Sequence, residues 1–552
     1  MIDTAKGVEI TPESAWKEYT QGRTYNDNIK LYDTVKQNED FYIGKQWEGV
    51  NAPDLEKPVI NFIKRNVNYQ VSQIVSDDIG VSFTAQSEIE GIEIISNILE
   101  DEVKKVIEDT SLSAKGRRHI RNCAVDGDSA LYCYYDPDYE NGQLVKGRIC
   151  TGLIDNTNII FGNPYVNDVQ AQPYIIIVKR SMLKTVQREA QEHGLNEDQL
   201  GQIKPDSETN YYGEDKGASG DLVTVLIRFE KRTESVEETA PDGTKISRSK
   251  TNIYVSKSTQ TVILEQPKPT GYELYPVAYM SWDEIKNSYH GQAIVTGMIP
   301  NQIYVNKMWA MIMHHQKTMA FPKVFYDGQK IKDWDNRVGA AIDTMGPVTD
   351  AIATTFKPSD MSNQAVPVVE KTLTMSRDMM GASDAALGNV KPNNTSAIIA
   401  VQKATAAPLE LQRLAYFEFM EEIIRVIVDM IRVHYGLRTV AYEDSTTKEK
   451  TRIDIDFGAI DYKQLQLRVD VGAAAYWSEL MQIQTIDNLF NKKIISDPIM
   501  YLESIPDAYV HNKGKIINEL RQKQTEMAQM QQLMGGGMPN AMPAMQAGPA
   551  NY

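Results

Sequence analysis

The longest apolar pattern of the chain lies within residues 381–436, where a polar loop precedes an extended helical stripe. After Pro408, apolar side chains recur three, four or seven residues apart, which places them on one face of a helix that Gly436 is suited to cap. Pro408 predicts either a kink or a new helix with this residue in its first turn. A stripe this wide predicts burial on more than one side. Its members are Leu409, Tyr416, Met420, Ile423, Ile427 and Met430, widened by Leu414, Phe417, Ile424, Val428 and Ile431.

The N-terminal part of the chain also has helical periodicity. Three segments carry apolar residues at helical spacing, which predicts a layer of helices around a core. Gly44 marks a break after the first segment, and Pro58 opens the second. The three stripes are Leu31, Val35 and Tyr42; Ile63, Val67, Val71 and Ile74; and Ile92, Ile95, Leu99, Val103 and Val106.

From Ser129 the apolar period becomes strand-like. Short runs rich in β-branched and aromatic residues alternate with turn sequences such as DPDYENG and APDGT, which predicts an antiparallel β region in an α+β protein. The runs are SALYCYYD, TNIIFGNPY, YIIIVKR, DLVTVLIRFEKR, TNIYVSK and TVILEQ, and RTVAYED and KTRIDIDFG follow residue 436. The polar connection 207–221 is expected to be a surface loop.

Helical periodicity returns at Ser288 and continues to a proline-marked stop at Pro322. Pro300 predicts a kink or a fresh start within this segment. A small strand-like and turn-like insertion follows at 321–361, and a second helix, AVPVVEKTLTMSRDMMG, leads back to the polar loop. Near the C-terminus, Ile516, Leu520, Met527, Met530 and Met534 form a weak heptad, and the final residues 534–552 are uncharged and rich in Gly, Pro and Ala, which predicts disorder.

Composition limits the possible functions. At 552 residues the chain is expected to form two or three domains, and its formal charge of -16 argues against tight, unspecific nucleic-acid binding over its whole surface. Cys123, Cys133 and Cys150 lack metal-type spacing and are expected to be reduced thiols packed as small apolar residues. Neither a signal peptide nor a membrane-length apolar run is present in the sequence.

Catalytic and metal-binding motifs are also missing from the sequence. It contains no GxxxxGK[ST], no GxGxxG after a strand, no GxSxG and no HExxH. His314 and His315 are adjacent on a helix and cannot share a metal as residues four apart can. DPDYENG is better explained as a hairpin turn than as a calcium loop, and Asp454 and Asp456 as a solvated strand face than as a metal pair. We therefore expect no enzymatic activity, no cofactor and no metal.

Several segments occur in a characteristic order between about Asn38 and about Lys523. They are NEDFYIGKQW with PVINFIKRNVNYQVSQIVSDD, then SYHGQAIVTGMIPNQIYVNKMW with the polar pair Gln302 and Asn306, and then GASDAALG, NNTSAIIAVQKA and APLE. In order and spacing they resemble the portal (head-to-tail connector) proteins of tailed double-stranded-DNA bacteriophages. The C-terminus departs from this family, which often extends it into a crown or helical barrel, whereas a short helix and a tail stand here.

The resemblance implies an α+β portal fold with a wing, a helical stem, a small α/β clip and a C-terminal helical crown, assembled as a ring that is usually dodecameric. The implied divisions are 1–287, N-terminal wing; 288–318, first stem helix; 319–362, clip; 363–381, second stem helix; 382–396, tunnel loop; 397–475, long helix and rest of the wing; 476–533, crown; and 534–552, disordered tail.

The resemblance also implies function and partners. The ring lies at one capsid vertex of the virion after assembly in the host cytoplasm, and double-stranded DNA passes through its channel without sequence specificity during packaging and ejection. The clip docks the large subunit of the terminase and later a neck or head-completion adaptor. The major capsid and scaffolding proteins are further partners, and no membrane is involved.

Two sets of functional residues follow. A channel through which a genome slides cannot grip the phosphates tightly, so an acidic subunit with few cations near the DNA suits it. Lys391 is the one cation among the small polar residues of the tunnel loop, and we expect it to contact phosphate, with Asn393 and Asn394 as neutral donors; an ordinary solvated lysine is the alternative. The expected clip docking surface is Lys330, Lys332, Trp334 and Arg337, with a satellite core around Trp334 and a solvated face at Lys332 as alternatives.

Two other classes of function remain open at this point. An intracellular hydrolase or nuclease that uses acidic residues would be a compact monomer or dimer. A filament-forming scaffold protein would form filaments or open lattices, which the weak terminal heptad permits.

Overall fold

The structure is a computed structural model of the 552-residue chain, which divides into two units, Met1–Val469 and Asp470–Tyr552. It describes residues 10–75, 79–85, 92–206, 221–239, 245–320, 323–335, 337, 340–347, 349, 353–356, 364–379, 407–443, 450–460, 465–471, 485–492, 494, 497–505, 513, 516–517 and 519–523.

Helices and antiparallel sheets both contribute to the first unit. The helices are α1 (Pro12–Asn28), α2 (Leu31–Ile43), α3 (Phe62–Ile74), α4 (Ile92–Asp109), α5 (Leu112–Asp126), α6 (Leu183–Glu192), α7 (Glu197–Gln202), α8 (Ile294–Ala320), α9 (Ala365–Met379) and α10 (Glu410–His434). The strands are β1 (Ile79–Ala85), β2 (Asp128–Asp136), β3 (Arg148–Asp155), β4 (Ile159–Phe161), β5 (Tyr174–Met182), β6 (Leu222–Thr239), β7 (Lys245–Ser258), β8 (Ile263–Pro269), β9 (Val277–Ser281), β10 (Lys323–Tyr326), β11 (Ala353–Phe356), β12 (Leu437–Glu443), β13 (Lys450–Asp456) and β14 (Leu465–Val471).

The predicted β region is confirmed as antiparallel, and the α+β class is confirmed with it. A three-stranded sheet has the order β3-β2-β9 and a five-stranded sheet the order β4-β5-β6-β7-β8, while β1 pairs with β14, β10 with β11, and β12 with β13. DPDYENG lies in the β2–β3 connection, which the Asp136 and Arg148 pair closes, so the hairpin interpretation is confirmed. The sequence patterns did not predict β3 and β9, whose apolar residues lack a clear alternation.

The main core forms where α10 crosses the sheet β3-β2-β9. As predicted, the apolar stripe of α10 is buried on more than one side, with both Met420 and Ile424 fully buried. Leu414 departs from the prediction because it is 47% exposed. A 3-10 turn, Ala407–Leu409, directly precedes the helix and contains Pro408, and Gly436 follows the helix with a φ of 53°.

The helix α8, which the resemblance implies is the first stem helix, begins at Ile294, six residues later than the expected 288. Residues before it are held in a non-helical path by a buried carboxylate, because Asp128 accepts hydrogen bonds from the Gly291 amide at 2.8 Å and from His290 Nδ1 at 3.1 Å. Gly127, with a φ of 105°, allows this approach, since a Cβ there would lie 2.6 Å from the Gly291 carbonyl oxygen. A contact between residues distant in sequence therefore sets the helix start.

The five-stranded sheet is covered on both faces. Tyr19 of α1 packs on one face with Ile160 and Leu226, and α6 packs on the opposite face against Val223 and Val225. In the described part of the second unit, a short helix spans Pro498–Ser504, and the rings of Phe490 and Tyr501 lie 4.4 Å apart. Among the described helices of the chain, none combines the length and apolarity needed to cross a membrane.

Candidate functional site: the stem and the clip

The helices α8 and α9, the expected stem, lie against each other, and Asn301 Nδ2 donates a hydrogen bond of 3.1 Å to Ser376 Oγ between them. The helix α8 runs through Pro300, its seventh residue. Its first half is largely buried, whereas most side chains after Ile312 are half-buried or exposed. The stem is therefore rooted in the core at one end and open at the other.

Two amides anchor the root of the stem. Gln302 and Asn306, one turn apart on α8, are 0% and 2% exposed. Gln302 Oε1 accepts from the Phe62 amide at 3.2 Å, and Gln302 Nε2 donates to the Ile60 carbonyl oxygen at 2.7 Å. Asn306 Oδ1 accepts from the Ile60 amide at 3.2 Å, and Asn306 Nδ2 donates to Gln46 Oε1 at 2.6 Å.

This arrangement gives the polar pair a structural role. Residues 60 and 62 are half-buried, and a backbone amide or carbonyl shielded from water without a partner is costly. The pair supplies these partners from α8 and so fixes the segment that leads into α3. Sequence reasoning identified Gln302 and Asn306 only through the family pattern; the physical signal was two amides at i and i+4 among apolar neighbours.

The two packed helices also expose apolar side chains along their length. Fractions of 37% to 79% are exposed for Tyr304, Met311, Met313 and Met319 on α8 and for Val368, Met375 and Met379 on α9. Single exposed apolar residues are ordinary, but a group along two packed helices is typical of a surface that another protein covers.

The clip segment, 319–362, contains the antiparallel pair β10 and β11 and a bridge between Ile331 and Thr344. Ile331 is buried, and the rings of Trp334 and Tyr326 stack with centroids 5.7 Å apart. Trp334 is half-buried in this contact, so it contributes to a small satellite core.

The other predicted clip residues differ in exposure. Lys330 is half-buried, while Lys332 and Arg337 are exposed. Arg337 Nη2 lies 2.6 Å from Asp335 Oδ2, and this hydrogen bond lowers the pKa of the Asp335 carboxyl and raises that of the Arg337 guanidinium. The clip segment therefore combines exposed charged side chains with a small apolar contact between Trp334 and Tyr326.

The tunnel-loop residues Lys391, Asn393 and Asn394 lie outside the described residues. The described chain ends at Met379 in α9 and resumes at Ala407 before α10.

Two clusters contain residue types that are common in catalytic sites, but their side chains are buried or hydrogen-bonded. His119 Nε2 lies 3.5 Å from Cys123 Sγ, yet both residues are fully buried, and burial raises the pKa of the thiol and lowers that of the imidazole to about 3. Both groups are therefore neutral near pH 7 and inert as a nucleophile pair. His119 instead stacks on Phe419 at a centroid distance of 3.8 Å.

The second cluster is an acidic groove of 560 Å³ beside α10. Burial raises the pKa of Glu422 to about 7, but its carboxylate accepts hydrogen bonds from the Gln170 side chain and the Tyr279 amide. Asp454 and Asp456, the other acidic pair considered, are exposed on one face of β13, and each accepts a local hydrogen bond. Within the described residues, no group of three or more His, Cys, Asp or Glu side chains is arranged to hold a metal ion.

The chain was compared with models of protein families and with curated proteins. A family model described as phage P22-like portal protein matches residues 17–442, from α1 through α8 and α9 to β12. No curated protein matches the chain.

The amide anchor predicts a measurable loss of stability. Replacing Gln302 with Leu keeps the size of the side chain but removes its hydrogen bonds to the Ile60 carbonyl and the Phe62 amide, which keep only their mutual bond of 2.9 Å, so we expect a loss of roughly 1–3 kcal/mol in the free energy of unfolding. Urea unfolding followed by circular dichroism measures this loss.

The matched control is Gln316→Leu, at an exposed position of the same helix, which is expected to change stability by less than about 0.5 kcal/mol. Similar changes for the two variants would contradict the role assigned to Gln302.

Proposed function

The chain belongs to the phage P22-like portal protein family, and we propose that twelve copies of it close into a ring around a channel for double-stranded DNA. The function of the chain is that of a phage portal, a structural component of the capsid that takes part in genome packaging. Portal proteins in general form homo-oligomeric rings that bind capsid, terminase and DNA, and they are structural proteins rather than enzymes. The family match over residues 17–442 is the observation that carries the proposal.

We infer that neighbouring copies pack side by side along the stem. The apolar side chains along α8 and α9 are exposed in a single copy, and their burial between copies would remove this area from water. Since the same two surfaces would meet in every pair of neighbours, the contact is heterologous and generates a ring when the rotation between copies closes.

The charge of the subunit supports a channel in which DNA slides. Duplex DNA carries about one phosphate charge per 1.7 Å, and neutralising about six to ten of these charges makes binding strong and dependent on salt. A ring of copies that each carry a formal charge of -16 repels the duplex and keeps it near the axis. We place the tunnel loop, 382–396, against DNA, with Lys391 on a phosphate and Asn393 and Asn394 as neutral donors.

The clip is the proposed docking site for the terminase large subunit during packaging and for the neck adaptor afterwards. Successive partners at one site must be released, which suits a small surface with exposed charges better than a large apolar one. Lys332 and Arg337 are exposed and provide charge. Trp334 lies in the same segment and stacks on Tyr326. The major capsid and scaffolding proteins would contact the wing.

Negative-stain electron microscopy of the purified chain tests the ring. We expect uniform annuli with a central hole, and we expect Met375→Glu to reduce the assembled fraction at least about tenfold, because a carboxylate would be buried at the contact without a partner.

Met182→Glu is the control, since Met182 is 67% exposed but lies on β5, outside the stem. Filaments would favour the scaffold alternative, monomers under every condition would exclude the ring, and normal assembly of Met375→Glu would exclude the stem contact.

Loss of the Lys391 charge is expected to weaken DNA retention without affecting assembly. Lys391→Ala removes one phosphate contact per subunit, so particles should release more DNA after a heat or salt challenge, which quantitative amplification of the released genome measures. Lys391→Arg keeps the charge and serves as the control; unchanged packaging and retention in Lys391→Ala would defeat the proposed contact.

Charge reversal at the clip is expected to block terminase docking. Lys332→Glu should reduce binding of the terminase large subunit to assembled rings at least about tenfold, as measured by surface plasmon resonance, because like charges then oppose each other at the contact. Lys184→Glu, an exposed lysine on α6, should bind normally. Equal binding by both variants would place the docking surface elsewhere.

A further inference from the structure

A cavity of 530 Å³ lies between α4, the β2–β3 connection and the β12–β13 hairpin. Its charged lining consists of the cations Lys105, Arg438 and Arg452 and the carboxylate of Glu102. Three positive charges against one negative charge leave a net charge of +2, in a chain whose total formal charge is -16. We call this cavity the Arg438 cavity.

Arg438 is the unusual residue of this group, because its side chain is charged and only 8% of the residue is exposed. The guanidinium carbon lies 3.4 Å from the centre of the Tyr435 ring, which holds the guanidinium plane in place. The guanidinium also lies near Tyr135, where its charge opposes the rise in the pKa of the Tyr135 hydroxyl that burial causes. The donors Nε and Nη2 have no hydrogen-bond partner among the described residues.

These two unsatisfied donors form one edge of the guanidinium. An arginine presents Nε–H and one terminal N–H side by side, and this fork matches the two oxygens of a carboxylate or a phosphate. Buried donors without a partner are costly, so an arginine held in this way is expected to have a ligand.

Both donors are shielded from bulk solvent, and the charged groups described around the cavity do not pair with them. The Glu102 carboxylate lies 2.5 Å from Lys105 Nζ, and Lys105 therefore neutralises the one carboxylate among the described residues of the lining. The side chain of Gln143 bonds the backbone of Thr439, donating to its carbonyl at 3.3 Å and accepting from its amide at 3.4 Å. This contact fixes the wall opposite α4.

We propose that the Arg438 cavity binds an oxyanion, a carboxylate or a phosphate, through a bidentate contact with Nε and Nη2 of Arg438. Arg452 adds a second positive charge at the exposed side of the cavity. The oxyanion has two sources with the same chemistry, a free inorganic ion or an acidic side chain from a second copy of this chain, which has 74 acidic residues.

Titration of inorganic phosphate into the full-length, dispersed chain tests the site. Isothermal titration calorimetry in a chloride buffer of constant ionic strength should show saturable binding with one site per chain. Arg438→Lys keeps the charge and the stacking but removes the fork, and should weaken binding about tenfold to a hundredfold. Arg452→Gln, farther from the fork, should weaken it several-fold.

Two controls separate the fork from general charge. Arg425→Lys alters an exposed arginine that already pairs with Glu421 on α10 and should leave phosphate binding unchanged. Lys105→Gln frees the Glu102 carboxylate and should weaken binding, and addition of Glu102→Gln should restore it. The proposal is overturned if the wild-type chain shows no saturable binding, or if Arg438→Lys and Arg452→Gln both bind as the wild type does.

The same titration on assembled rings distinguishes the two sources. Binding to rings and to the dispersed chain alike identifies a free ion, whereas binding to the dispersed chain alone identifies an acidic side chain of a neighbouring copy. The measurement on the dispersed chain does not require a ring, so its failure would remove this site and leave the portal assignment intact.

Discussion

The requirement that buried backbone groups find hydrogen-bond partners governs how the stem joins the rest of the molecule. Before α8, the Asp128 carboxylate holds the chain at His290 and Gly291, and two turns into the helix Gln302 and Asn306 satisfy residues 60 and 62. These contacts connect segments that are more than 150 residues apart in sequence. They make the N-terminal half of α8 an extension of the core. The exposed C-terminal half continues from this anchored half.

The local elements followed from the sequence wherever one periodicity dominated. The stripe on α10, its end before Gly436 and most strands of the antiparallel region other than β3 and β9 were predicted, because burial of one face leaves a repeat in the sequence. The start of α8 was not, since SYHG fits a helical pattern and only the distant carboxylate of Asp128 excludes it. Leu414 was expected to be buried because it lies beside the apolar stripe, but the neighbouring elements do not extend over it.

The roles of the functional residues were harder to predict from the sequence than the helices and strands. Gln302 and Asn306 were noticed through a family pattern, and their role became clear only from their partners. A single arginine in a strand such as Arg438 carries no periodic signal, and its meaning depends on α4 and the β2–β3 connection, which lie far away in sequence. By contrast, Cys123 and His119 have side chains of reactive types but are unreactive here. Burial in the core raises the pKa of the thiol and lowers the pKa of the imidazole, so both stay neutral.

The exposed surface of α8 and α9 is notable for its residue type, since five of its large apolar side chains are methionines: Met311, Met313, Met319, Met375 and Met379. An unbranched thioether adopts many rotamers of similar energy and adapts to irregular neighbours. A contact between neighbouring protomers that is lined with methionines accepts small changes of tilt or spacing at low energetic cost. β-branched residues, which have fewer rotamers, would favour a single arrangement. The same thioethers are open to oxidation, and a sulfoxide is polar. Prolonged exposure to peroxide would therefore weaken this contact between protomers before it affected the core.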